Sequence, residues 1–159
     1  MSEPFRIGVI SDTHGSLPPA AYDVFEGVDH IVHAGDYGGH GVLDELGAIA
    51  PVTAVRGNCD HAPDGVAPLV RTTLGGHRFV LVHDRTHLPK MTASDRARVF
   101  VSGHTHIPVC REDGGVLHLN PGSATRPRGG HPPSVAIIEI AGNQVSARII
   151  PLLPAQPLR

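Results

Sequence analysis

The chain is short of several things that would each point to a function. Cysteine occurs twice, at Cys59 and Cys110, with neither CxxC nor disulfide-framework spacing, which points to a reducing compartment. No apolar run approaches the ~20 residues that cross a bilayer. The opening Met1-Ser2-Glu3-Pro4 carries no basic segment, and the following Phe5 to Ile10 is too short and interrupted to act as a leader. A cytoplasmic protein without membrane attachment is the expectation. Neither sign of charge dominates, since 15 acidic residues stand against 13 basic ones for a net charge of −2. A basic field that could grip a phosphate backbone is therefore missing, and dedicated nucleic-acid binding is not expected. The phosphate-cradling pattern G-x-x-x-x-G-K-[ST] does not occur, so Gly38-Gly39-His40-Gly41 reads as a turn. With no internal repeat and no linker, residues 1–159 read as one domain, 151–159 being an extended tail.

Turn formers and histidine are plentiful instead: 19 glycines, 15 prolines and 12 histidines, beside a hydrophobic fraction of 40% that is enough for a core. Five apolar runs each end in residues suited to metal binding. Phe5 to Ser11 leads to Asp12-Thr13-His14, His30 to Ala34 to Gly35-Asp36, and Val52 to Arg56 to Gly57-Asn58. Arg78 to Val82 leads to His83, and Val99 to Ser102 to Gly103-His104-Thr105-His106. As strands of one largely parallel sheet, these runs would deliver all the polar residues to its carboxyl edge, where open α/β sheets hold ligands. In extended backbone, residues two apart share a side, so His104 and His106 are expected to reach one site together.

Asp12, His14, Asp36, Asn58, His83, His104 and His106 are too many donors for one tetrahedral ion. They include no thiolate, which argues against a structural zinc site. Oxygen and imidazole donors suit manganese, iron, cobalt, nickel or zinc. Two ions roughly 3.5–4 Å apart with a bridging carboxylate would use the whole set. Asp36, alone after the second run, is the natural bridge.

Between the runs, Ser16 is expected to cap a helix opened by Pro18 or Pro19, with Tyr22, Phe25 and Val28 buried and Gly27 as its stop. A second helix carries Val42, Leu43, Leu46, Ile49 and Ala50 up to Pro51. Val70 to Leu74 and Arg78 to Val82 form a hairpin around Gly75-Gly76, and Thr92 to Asp95 start a short helix. The last third, Val109 to Glu112, Val116 to Leu119, Ser134 to Ile140 and Gln144 to Ile150, reads as antiparallel strands. A βαβ front half and a meander-like rear half predict an α/β fold of two sheets packed face to face, with helices outside.

The ordered set Asp12-x-His14, Gly35-Asp36, Gly57-Asn58-Cys59-Asp60, His83 and Gly103-His104-x-His106 resembles the calcineurin-like metallophosphoesterases. The short length and Asn120-Pro121-Gly122-Ser123 are similar to their small bacterial and archaeal phosphodiesterase branch. This resemblance, running from Ile7 to about Ser134, implies a four-layer α/β/β/α sandwich of two mixed sheets and a dinuclear centre. By the family's pattern Asp12, His14 and His106 hold one metal with Asp36, and Asn58, His83 and His104 hold the other, again sharing Asp36. It implies hydrolysis of phosphodiesters or phosphomonoesters by a metal-bridging hydroxide, with manganese the expected metal.

Two departures stand out. Cys59 follows the third-motif asparagine where many members carry a histidine, a proton donor to the leaving group, so activity is expected to be best on esters whose leaving group needs little protonation. The small branch usually reads His-Gly-His at the fourth motif, where this chain has His83-Asp84-Arg85. Cys59, Asp60, Arg85, Arg126 and Arg128 are candidate substrate or supporting contacts. Cys59 reads as a packed thiol beside the ligands rather than a nucleophile. His30, His33, His40, His77, His87, His118 and His131 read as surface, turn or supporting residues, and His61 could stand in for the missing acid. The expected partner is a small phosphoester, and the sequence leaves room for a homo-oligomer. The contrasting reading is a non-catalytic scaffold like Vps29, which resembles this fold, has lost ligands and binds protein partners.

Overall fold

A computed structural model describes residues 3–61, 65–87 and 96–153. The element order is β1 (Phe5–Ile10), α1 (Pro19–Val24), β2 (His30–His33), α2 (His40–Gly47), β3 (Val52–Ala54), β4 (Leu69–Leu74) and β5 (His77–Val82). A 3₁₀ turn follows over Arg85–His87, then β6 (Val99–Val101), β7 (Val109–Asp113), β8 (Val116–Asn120), β9 (Ser134–Ala141) and β10 (Gln144–Pro151). The helix expected from Thr92 to Asp95 and most of the tail lie outside the described residues.

The strands form two mixed five-stranded sheets, in the orders β10-β9-β1-β2-β3 and β4-β5-β6-β8-β7. The expected single parallel sheet is thus divided. Strands β1, β2 and β3 run parallel in the first sheet, and β5, β6 and β8 run parallel in the second. The rear half does not form a sheet of its own either. Its first hairpin, β7–β8, completes the second sheet, with β8 parallel to β6, while β9–β10 is antiparallel to β1 and completes the first.

The alternation of β1 explains the apolar run from Ile7 to Ile10. Ile7 and Val9 join Phe79, Leu81, Val99, Val101, Leu117 and Ile138 in the core between the sheets. Ile10 faces the helices, with Ile31, Ile137, Phe25 and Leu46. A strand buried on both faces has no polar side to show. Gly8 lies under the Phe25 ring, where a Cβ would come within 2.7 Å of it. A third cluster, Val80, Val82, Ala97 and Phe100, covers the other face of the second sheet.

Both helices are shorter than their periodicity predicts. Pro18, not Ser16, occupies the N-cap of α1, and Phe25 ends it. Pro19 suits the first turn because its missing N–H has no partner there anyway. Tyr22 is 40% exposed and donates its hydroxyl to Glu45 of α2 instead of entering the core, which Ala21, Phe25 and Val28 fill. Among the described residues no helix is long and apolar enough to cross a membrane.

Candidate metal centre

The carboxyl ends of the parallel strands of both sheets meet at one end of the sandwich, tied together across the sheets. The His83 ring donates Nδ1–H to the Ala34 carbonyl at 2.7 Å, and the His104 N–H reaches Asp12 Oδ2 at 3.1 Å. Ser123 and Thr125 hydroxyls hold the Asp12 carbonyl at 2.8 and 3.2 Å. Asn120 grips the Gly103 carbonyl and Thr105 with its amide nitrogen.

All seven sequence-expected donors arrive at this end. His106 Nε2 is 3.1 Å from Asp12 Oδ1, with His14 Nε2 3.5 Å from His106 Nε2. His83 Nε2 is 3.2 Å from Asp36 Oδ2 and 3.7 Å from Asp12 Oδ1. His104 Nδ1 lies 3.2 Å from Asn58 Oδ1. Asp12 with His14 and His106, and Asp12 with Asp36 and His83, each bring donor atoms within 4.8 Å of one another; so do His14, Asp36 and Cys59.

The backbone does this by an unexpected route. Among the described residues, the non-glycine residues with positive φ are Asp12, His14, Asp36, His104 and His106, all of them expected ligands. His104 and His106 (φ 73° and 61°) therefore do not reach the site through the alternation of a strand, as expected from their spacing, but through two left-handed residues. Such conformations cost about 1–3 kcal/mol each and persist where the surroundings over-determine them. Three glycines placed just before ligands are required by crowding. A Cβ on Gly57 would overlap Asp36 Oδ1, one on Gly103 would overlap the Ser11 hydroxyl, and one on Gly35 would come within 2.6 Å of the His83 ring.

Every close support is hydrogen-bonded, which makes the exceptions informative. Asp12 Oδ2 accepts from the Ser11 hydroxyl at 2.6 Å, and Asp36 Oδ1 accepts from the Cys59 N–H at 2.8 Å. The His106 ring donates Nδ1–H to the Arg126 carbonyl at 2.6 Å. With Nδ1–H committed in this way, His83 and His106 turn Nε2 lone pairs into the site. Yet buried Asp12 Oδ1 and His83 Nε2 have no hydrogen-bond partner among the described residues. His83 Nε2 is near enough to Asp36 for an ion pair without being aligned as a hydrogen bond. Buried polar atoms left so are rare and ask for an explanation; a cation between them supplies one, and the donor set fits it.

The electrostatics agree. Burial pushes the Asp36 carboxyl up, but the His83 ring and the Cys59 N–H outweigh burial and hold it at about 2. Burial pulls His83 down, while Asp36, Asp12 and the Ala34 carbonyl more than offset this and leave its pKa raised. Burial is the largest influence on His14 and lowers its pKa.

A cavity of about 390 Å³ opens over the site, lined by His14, Asp36, Asn58, Cys59, His104, His106, Arg126 and Arg128. Arg126 and Arg128 are thus placed for contact with an anion. Three other sequence expectations are corrected. Asp60 is not aimed at substrate: its carboxylate accepts the N–H groups of Asp36 (2.8 Å), Gly57 (2.9 Å), Gly38 (3.1 Å) and Tyr37 (3.4 Å), clamping the Asp36 loop. Arg85 lines a separate small cavity with Phe100, Thr105, His118 and Asn120. Cys59 is exposed rather than packed. Beside them, Asn120 to Ser123 form a buried brace, with the Gly122 N–H on Asn120 Oδ1 and the Ser134 hydroxyl on the Pro121 carbonyl.

Among the seven histidines read as surface, turn or supporting residues nothing in the sequence singles out His33, because a histidine inside a short strand looks like any other. It is fully buried, accepts the Gly35 N–H on Nδ1 at 3.1 Å and meets the Thr13 hydroxyl through Nε2 at 2.9 Å. With Nδ1 an acceptor, Nε2 carries the proton, and Thr13 passes its own to the Tyr37 carbonyl at 3.0 Å. A neutral ring thereby joins the loops that carry Asp12 and Asp36.

Comparison with known proteins agrees with this geometry. The sequence profile of the calcineurin-like phosphoesterase superfamily domain matches residues 5–143. A protein of Methanothermobacter thermautotrophicus named "probable metallophosphoesterase" is 39% identical over 157 residues, covering 91% of each chain. The phosphodiesterase YfcE of Escherichia coli K12 is 35% identical over 156 residues, covering 81% of this chain and 84% of its own. Among solved structures, one described as a novel archaeal phosphodiesterase superposes with a TM-score of 0.75 at 25% identity, over 91% of this chain and 99% of the other. Vps29 from Entamoeba histolytica, as a D62A mutant, gives 0.71 at 21% identity, over 91% and 98%, a likeness of fold alone. The chain belongs to the calcineurin-like phosphoesterase superfamily.

Proposed function

We propose that this protein is a hydrolase of phosphodiesters, extending to phosphomonoesters, that works with two divalent cations. The observation that carries this reading is the pair of buried, unpartnered atoms, Asp12 Oδ1 and His83 Nε2, facing a common space with His14, Asp36 and His106. Asp12, His14 and His106 would hold one ion with Asp36, and Asn58, His83 and His104 would hold the other with Asp36. The Asp36 Oδ2 atom supports the shared role, since it is 3.2 Å from His83 Nε2 and 4.0 Å from His14 Nε2. Oxygen and imidazole donors fit manganese, nickel, iron, cobalt or zinc, and manganese is the one the family resemblance favours.

When bound, such a pair of cations supplies Lewis-acid polarisation and lowers the pKa of coordinated water from ~15.7 towards ~7. The chain's residues set what is bound and how it lies. Asn58 contributes a neutral amide oxygen, so the site keeps more positive charge for an anionic ester than a third carboxylate would leave. Arg126, Arg128 and His104 line the cavity over the site, where they would meet the phosphoryl group of a bound ester. The Cys59 thiol stands where a leaving-group donor is wanted, but burial and then Asp36 push its pKa up. It is a reluctant proton donor, which favours esters with good leaving groups.

The test is to reconstitute the protein with Mn²⁺, count metal per chain by mass spectrometry and follow hydrolysis of bis-p-nitrophenyl phosphate. Two ions and a turnover abolished by chelator are expected. Two ions without turnover on any phosphoester would instead favour a Vps29-like partner-binding scaffold. Undiminished turnover after chelation would end the two-cation reading.

A further inference from the structure

Asp84 occupies the place beside His83 where this chain departs from the small branch's motif, and its two carboxylate oxygens face different tasks. Oδ1 accepts the Thr86 N–H at 3.0 Å and the Thr86 hydroxyl at 2.8 Å, forming the turn that opens the Arg85–His87 segment. Oδ2 lies 3.5 Å from Nε2 of His104, whose other ring nitrogen is 3.2 Å from Asn58 Oδ1. The Asp84 side chain is 16% exposed, so water screens this contact only in part. Asn58 directs its amide nitrogen at Cys59 Sγ, 3.5 Å away, which leaves its oxygen on the His104 side.

Both neighbours of the His104 ring can only accept, so the single proton of a neutral ring goes either from Nδ1 to Asn58 Oδ1 or from Nε2 towards Asp84; the carboxylate, being charged, is the stronger acceptor and draws it to Nε2. The Nδ1 lone pair and the Asn58 oxygen then face each other as two acceptors 3.2 Å apart, a spacing that suits neighbouring corners of one coordination shell with metal–ligand bonds of ~2.0–2.2 Å. We propose that Asp84 is a positioning residue that fixes the ring orientation and tautomer of His104, so that the second cation can be held by His104 Nδ1 and Asn58. This inference rests on the two-cation reading above. Carboxylates behind metal-bound histidines act in this way, and their loss typically weakens metal binding by ~10–100-fold.

Asp84→Asn separates this role from that of a mere turn former. Its single side-chain oxygen keeps the Thr86 bonds, while its amide now donates towards His104 Nε2 and drives the proton to Nδ1. Long-range ¹H–¹⁵N spectra of the metal-free protein should show His104 protonated on Nε2 in the wild type and on Nδ1 in Asp84→Asn. Mn²⁺ titration by calorimetry should show one of two sites weakened by ~10–100-fold in Asp84→Asn and Asp84→Ala. Thr86→Val, which removes a turn bond alone, should leave both sites as in the wild type. An unchanged tautomer, or wild-type affinity in Asp84→Asn, overturns the proposal. Weakening by Thr86→Val equal to that of Asp84→Ala overturns it too, since the turn would then suffice. Failure of the wild type to bind two ions would count against the two-cation reading, whereas the metal-free spectra judge Asp84 on their own.

Discussion

On the inner side of the metal centre Asp12, Asp36, His83 and His106 are each at most 5% exposed; on the outer side Asn58 and Cys59 are open to solvent and the His104 side chain is 42% exposed. The inner donors are held by backbone groups and by one another: Ser11 on Asp12, the Cys59 N–H on Asp36, Ala34 on His83 and Arg126 on His106. Rings and carboxylates so fixed are held in place by the protein itself, without a bound ion. The outer donors rely on side-chain contacts, Asn58 with Cys59 and His104 with Asp84. Folding therefore prebuilds one half of the site, while the other half is completed by what binds there. Substitutions on the inner side should disturb fold and metal together, and those on the outer side metal alone.

Asp36→Asn removes the inner residue proposed to serve both ions and carries the largest expected effect. Hydrolysis of bis-p-nitrophenyl phosphate should vanish and calorimetry should find both Mn²⁺ sites weakened. Normal turnover in this variant would show that Asp36 does not serve both ions.

Gly103→Ala tests the inner half through packing, because its Cβ would strike the Ser11 hydroxyl and approach Asp12 Oδ2 at 2.8 Å. Relieving that overlap should lower stability in urea by about 1–3 kcal/mol and reduce metal content. Asn58→Ala is the matching test outside, where one of two ions should be lost while stability stays within about 0.5 kcal/mol of wild type. If Asn58→Ala unfolded as readily as Gly103→Ala, the division into halves would not hold.

The smallest effect concerns pH and the supports behind the inner half. Burial, more than the nearby His83, drives the His33 pKa down from 6.5 to about 3 in the folded protein. Below pH 6.5 the unfolded chain binds a proton that the folded one refuses, so stability rises with pH there and is lost as pH falls from 6.5 towards 3. The slope from this one group is at most about 1.4 kcal/mol per pH unit. His33→Gln should be less stable than wild type at pH 7, with the gap narrowing by pH 5; a gap independent of pH would remove His33 as its source.

Much of this was legible along the chain. Apolar runs ending in Asp12, Asp36, Asn58, His83 and His104 marked both strands and donors, since a strand buried on two faces has nowhere polar to put a side chain except its end. The helices were legible as positions but not as lengths. Their periodicity overlooks that Tyr22 can satisfy its hydroxyl on Glu45 and so stay outside. Asp60 and Arg85 were placed at substrate by proximity in sequence alone, and loop paths sent one to a backbone clamp and the other to a different cavity.

Residue identities and spacing by themselves determined the α/β class, the residues that gather at the candidate site and the superfamily, because chemistry-bearing residues at strand ends depend only on local pattern. The tertiary structure decided which strands share a sheet, since pairing depends on contacts far apart in the chain. It also decided that His104 and His106 reach the site through left-handed backbone, a conformation a non-glycine residue holds only when the surrounding packing compels it.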